Sequence, residues 1–68
     1  MHEQLHNRLR EARLRRNLTQ AELATLADVS RKTINTVENG VFIPSTVLAL
    51  RLARALGASV EELFQLPQ

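Results

Sequence analysis

The chain contains no cysteine, tryptophan or tyrosine, and only two phenylalanines, two glycines and two prolines in 68 residues. Without cysteine there are no disulfides and no thiolate metal sites. Aromatics make up only 3% of the residues, so the core must be assembled from Leu, Ala, Val and Ile, which suits helices. So little Gly and Pro leaves room for few loops, all of them short. No apolar run approaches the roughly 18 residues of a membrane span. The polar start, MHEQLHNRLRE, is unlike a secretory signal. These absences point to a soluble, cytoplasmic chain with no membrane partner.

The length fits one domain spanning residues 1–68. A domain this small removes only about 60% of its unfolded surface from water. With disulfides excluded, stability must come from close helix packing, from a subunit interface, or from both. The net charge of +2 says little, but its make-up says more. Eight of nine basic residues are Arg, and five of them fall between Arg8 and Arg16. Arg forms bidentate bonds with phosphate and with guanine edges. A solvated helix face would carry the same charges.

Leu5, Leu9 and Ala12 recur at helical spacing and predict a first helix over residues 2–16, stopped near Asn17. His2 and His6 stand four apart on it, a spacing that suits a metal. They lie at a chain end with no nearby carboxylate or cysteine to complete a shell, so no metal and no cofactor is assigned.

Thr19 followed by Glu22 is a capping box, with Leu18 placed to staple onto Leu23. The helix it opens runs to about Ala27 and turns Leu23, Ala24 and Ala27 inward. Asp28-Val29 makes the turn, because Asp enters left-handed backbone cheaply. Ser30 caps a third helix, about Arg31–Asn39, closed by Gly40. Two short capped helices joined by a tight turn are a helix-turn-helix unit. On the third helix Ile34 and Val37 belong to the core. Arg31, Lys32, Asn35, Thr36 and Asn39 fall on the other side. A helix of this size fits the major groove of DNA, with its N-terminal residues at base edges. Ser30 and the free amides of the first turn suit a phosphate. Any surface helix has a polar outer face. This one, however, carries no acidic residue before Glu38.

Pro44 interrupts the chain, and Ser45 caps a fourth helix, about Thr46–Leu56, ending at Gly57. Apolar residues occupy nearly all of its circumference, Val47 and Leu50 included. One core face does not need so many, so a partner subunit is expected on the second side. Ser59 and Glu62 form another capping box, opening a last helix through about Gln65. Leu63, Phe64 and Leu66 lie so near the chain end that they are further candidates for a subunit contact. The other reading has them closing the monomer core.

The pattern LTQAELA…VS…I…VENG…PS…L…LA.ALG.S.EELF, from about Leu9 to Phe64, resembles the phage repressor/Cro-type helix-turn-helix family, also called the XRE family. The resemblance implies an all-α, compact five-helix bundle of the lambda-repressor-like DNA-binding kind. It further implies a transcriptional regulator, usually a repressor, acting as a homodimer on a near-palindromic operator. It assigns base contacts to Arg31, Lys32, Thr36 and Asn35. Contacts to the DNA backbone fall to Gln20, Ser30, Thr33 and Asn39, with Gln20 also bracing a recognition residue. Arg13 and Glu38 match a structural ion pair between the first and third helices. Asp28 stands where many members carry Gly. Arg31 and Lys32 replace the glutamines of well-known phage members, so an adenine preference does not carry over, and guanine or phosphate is expected instead.

An antitoxin that also represses its own gene is the alternative function, although the chain lacks an extension to wrap a toxin. A protein-interaction module without DNA binding is a third reading, which a salt-sensitive gel shift on random DNA separates. An enzyme is not expected, since no nucleophile–base set, phosphate loop or carboxylate pair is present. No sensor segment follows Gln68, so control by an effector would come through a partner protein.

Overall fold

The computed structural model describes residues 5–67. Its elements run β1 (His6–Asn7), α1 (Leu9–Arg15), α2 (Gln20–Ala27), α3 (Arg31–Glu38), α4 (Thr46–Leu56), α5 (Val60–Leu63) and β2 (Phe64–Gln65). Five helices surround a core whose fully buried large side chains are Leu9, Leu23, Ile34, Val37, Leu52 and Leu63. No helix of the described residues is long and apolar enough to cross a membrane.

The helix starts follow from side chains three residues away in sequence. Thr19 accepts from the Glu22 amide while the Glu22 carboxylate accepts from the Thr19 amide, and Ser59 and Glu62 repeat the arrangement. Ser30 and Ser45 accept from the amides of Thr33 and Leu48. The helix stops are left-handed residues: Asn17, Asp28, Gly40 and Gly57 all have φ between 57 and 73°. Asp28 therefore makes the α2–α3 turn without glycine, and Val29 packs against the core beside it.

Both ends of the chain depart from the expected helices. The first helix begins at Leu9, and His6–Asn7 is a strand paired antiparallel with Phe64–Gln65, His6 opposite Gln65 and Asn7 opposite Phe64. The last helix stops at Leu63 for the same reason. Asn7 decides the break. Its Oδ1 accepts from the Leu9 amide at 2.9 Å, and its Nδ2 donates to the Val37 carbonyl near the end of α3. An Asn side chain that bonds backbone in this way competes with helix continuation. The expected His2–His6 helical pair loses its basis, because His6 is in a strand and His2 lies outside the described residues. Among the described residues no group of His, Cys, Asp or Glu is arranged to hold a metal.

The pairing of β1 with β2 also redefines the chain end. Leu63 and Phe64 are 1% and 8% exposed and belong to the core. As candidate subunit contacts they are corrected: Leu63 is sealed inside the protomer, and only an edge of Phe64 reaches the surface. Leu50 and Leu66 remain exposed, at 57% and 68%.

Candidate nucleic-acid interface

The helix-turn-helix unit is α2 and α3 with the turn through Asp28–Ser30. Ile34 and Val37 anchor α3 in the core, which turns Arg31, Lys32, Asn35 and Asn39 to solvent. Thr33 and Thr36 are half-buried at the margin of this face, and the Thr36 hydroxyl donates to the Thr33 carbonyl at 3.0 Å. Ser30 is occupied as the helix cap, and its hydroxyl also meets that of Thr33 at 2.9 Å. Two cations in the first turn, unpaired among the described residues, followed by two amides one and two turns along, make a face rich in hydrogen-bond donors.

This face is free of negative charge because of where Glu38 points. Its side chain is fully buried and lies against Arg13, with Arg13 Nε to Glu38 Oε2 at 2.6 Å and Arg13 Nη2 to Oε1 at 3.1 Å. Arg13 is itself only 8% exposed and also donates to the Leu18 carbonyl, which ties α1 to the entry of α2. Gln20 Nε2 and Arg10 Nε complete the shell of Glu38 Oε1 at 3.1 and 3.2 Å. Burial alone pushes the Glu38 carboxyl up. The hydrogen bonds from Arg13, Gln20 and Arg10, with the Arg13 charge, outweigh it and hold the group below its ordinary range. The Arg13 guanidinium is raised in turn, chiefly by its hydrogen bonds to Glu38 and against the cost of burial.

The expected site residues thus divide. Arg31, Lys32, Asn35 and Asn39 share the exposed face of α3, and Gln20 reaches it from the start of α2. Gln20 Nε2 also meets Asn35 Oδ1 at 3.3 Å, which makes it a brace for that amide. Sequence reasoning missed Arg10. One of five arginines in a row of nine positions, it lays its guanidinium across the end of α3, donating to Glu38 and, at 2.8 Å, to Asn39 Oδ1. It also missed Asn7, whose Nδ2 bond to Val37 holds the same end of α3. Helical spacing could have put Arg10 and Arg13 on neighbouring faces, but nothing local says which guanidinium enters the interior.

The helix-turn-helix family model matches residues 9–63, from the start of α1 to the end of α5. The chain belongs to the Cro/C1-type helix-turn-helix family of transcriptional regulators. Among its relatives, an uncharacterized HTH-type transcriptional regulator of Methanothermobacter thermautotrophicus is 46% identical over 61 residues, covering 88% of each chain. Another, from Methanocaldococcus jannaschii, is 40% identical over 60 residues, covering 88% of this chain and 91% of the relative. The crystal structure of the restriction-modification controller protein C.AhdI from Aeromonas hydrophila superposes with a TM-score of 0.78 at 40% identity, covering 81% of this chain and 83% of that one. The clp gene regulator ClgR from Corynebacterium glutamicum gives a TM-score of 0.76 at 35% identity, with 79% of this chain matched to 57% of that protein. As in the family at large, the chain is a DNA-binding regulator and not an enzyme.

Proposed function

We propose that the protein represses transcription as a homodimer bound to a near-palindromic operator, each protomer laying α3 in a major groove. Arg31, Lys32, Asn35 and Thr36 face base edges in this reading. Gln20, Ser30, Thr33 and Asn39 lie along the phosphate backbone. The observation that carries it is the carboxylate-free face of α3, obtained by turning the helix's one acid, Glu38, into the interior. A carboxylate on that face would repel phosphate; a buried one saturated by arginines does not.

The dimer is proposed on α4. Val47 and Leu50 stand 59% and 57% exposed on its outer side. Beside them Leu5, Pro44, Ala49 and Leu66 line an apolar groove floored by Phe64. A twofold contact here would present two copies of α3 to one side of the duplex, at successive major grooves about 34 Å apart.

Selection of bound fragments from a random DNA pool tests both halves of the reading. Two inverted half-sites about one helical turn apart are expected. A single unrepeated half-site would remove the dimer, and affinity that rises equally on all sequences as salt is lowered would remove sequence-specific regulation. The likeness to a restriction-modification controller favours a second reading of the regulated gene, namely one that a restriction-modification locus carries. Binding confined to DNA upstream of such a locus would select it.

A further inference from the structure

The amides at the end of α3 form a chain whose orientation is set from both ends. Arg10 has only donors, so its 2.8 Å contact makes the near atom of the Asn39 amide the oxygen. Asn39 Nδ2 therefore faces Asn35, and donates to Asn35 Oδ1 at 3.2 Å. From the other side, the Glu38 carboxylate has only acceptors, so the near atom of Gln20 is its nitrogen, which also donates to Asn35 Oδ1 at 3.3 Å. Both lone pairs of that oxygen are taken. Asn35 Nδ2 has no partner among the described residues and lies on the exposed face.

We propose that this relay, Arg10–Asn39 on one side and Glu38–Gln20 on the other, commits Asn35 to act as a hydrogen-bond donor and thereby selects guanine over adenine at the base pair it meets. An Asn that pairs with adenine needs its oxygen for the N6 amino group and its nitrogen for N7. Here the oxygen is spent. The free NH2 suits the two acceptors of guanine, O6 and N7, and meets only N7 on adenine. Arg10 and Asn39 are then positioning residues for a base contact that neither makes. The inference rests on the proposed placement of α3 in the major groove.

Binding-site selection with the full chain tests it, comparing the wild type with Asn35→Ala, Asn39→Asp and Arg10→Ala. Asn35→Ala identifies the base pair concerned, as the position whose preference it erases. The wild type is expected to hold guanine there over adenine by about tenfold, at the lower end of what one good base contact discriminates. In Asn39→Asp the oxygen facing Arg10 is kept, while a second oxygen replaces the donor facing Asn35. The charged acceptor outweighs the neutral Gln20 donor and turns the Asn35 amide over, oxygen outward. The new carboxylate lowers affinity on all sequences alike by repelling phosphate, while the preference at that one position shifts toward adenine and the other positions keep theirs. Arg10→Ala frees the Asn39 amide to turn and weakens the guanine preference without abolishing binding.

If Asn35→Ala erases no position, the placement of Asn35 at base edges fails. If it erases one that is adenine in the wild type, or one that Asn39→Asp leaves unaltered, the relay fails and the placement stands. A readout without DNA is independent of both. The side-chain NH2 protons of Asn39 and Gln20 should exchange with water more slowly than those of Asn35, and equal rates in all three would overturn the relay.

Discussion

Helices α3 and α4 are built alike and finished differently. Each opens on a serine cap, Ser30 or Ser45, and each is followed by a left-handed glycine, Gly40 or Gly57. Each buries one stripe, Ile34 and Val37 in α3, and Leu48, Ala49, Leu52, Ala53 and Leu56 in α4. The outer faces diverge. That of α3 offers guanidinium, ammonium and amide groups, and its one acid is withdrawn into a network of three partners, Arg13, Arg10 and Gln20. That of α4 leaves Val47 and Leu50 in water with Arg51 and Arg54 around them. The core explains the shared features, because both helices have to cover the same apolar centre. It explains neither outer face. A donor-rich surface is matched by phosphate and base edges, and an apolar one by another apolar surface, which is why DNA is proposed for the one helix and a second protomer for the other.

The largest expected effect breaks α3 at its withdrawn acid. Glu38→Ala leaves the Arg13 guanidinium buried without its carboxylate, and removal of one partner from a buried pair costs about 3–5 kcal/mol. Urea unfolding should show the loss, while Arg10→Ala, whose guanidinium is half-exposed, should cost less than about 1 kcal/mol. The same acid sets a pH dependence. Its folded pKa is depressed, so its contribution to stability is present above the unfolded value of about 4.3 and is lost as pH falls through the folded one. Unfolding curves from pH 6 down to about pH 3 should therefore fall more steeply for the wild type than for Glu38→Gln.

The next effect tests the outer face of α4. Leu50→Asp should weaken self-association by about 3 kcal/mol, since a twofold contact buries two such leucines at about 1.5 kcal/mol each. The unfolding free energy of the protomer should stay within about 0.5 kcal/mol of the wild type. Sedimentation equilibrium separates the two quantities. A variant that self-associates as strongly as the wild type would remove α4 from the interface.

Arg31→Ala sharpens the opposite side. If Arg31 meets guanine, binding to the selected site should weaken by about 1–3 kcal/mol and preference should relax at one position. Equal loss on all sequences would make it a phosphate contact. The smallest effect concerns the two glycines. Each sits in left-handed backbone, where a side chain costs about 1 kcal/mol. A Cβ at Gly40 would meet nothing within 4 Å, whereas one at Gly57 would run into the Arg16 guanidinium. Arg16 donates from Nε to the Leu56 carbonyl at the end of α4, so Gly57→Ala should cost more than Gly40→Ala by roughly the worth of that hydrogen bond, about 1 kcal/mol. Thermal unfolding of the pair measures the difference.

How far these features could be read from the amino-acid order depends on the distance over which each acts. The caps at Thr19, Ser30, Ser45 and Ser59, the left-handed stops and the inward stripes of α2, α3 and α4 involve residues within one or two turns of each other. They are encoded in local spacing, and the structure has them where spacing puts them. The helix-turn-helix unit follows, because it is little more than two such helices and their turn. The exposed face of α3 follows too, once Ile34 and Val37 are assigned inward.

Contacts between distant parts of the chain were not legible in this way. Strands β1 and β2 pair the two ends of the chain, and two-residue strands have no periodicity to betray them. That pairing shortened the first and last helices, put His6 in a strand and drew Leu63 and Phe64 into the core. Among five neighbouring arginines, local spacing does not say that Arg13 is buried, which the family resemblance alone picked out, and only the fold decides that Arg10 crosses to Asn39 and that Arg16 closes the end of α4. Each is a guanidinium with the same local prospects, and what separates them is which carbonyl or carboxylate the packed helices bring within reach. The order of residues is thus enough to make a DNA-binding helix. The hydrogen-bond polarity of its amides, and with it the base that Asn35 is proposed to favour, depends on partners that meet only when α1, α2 and α3 are packed together.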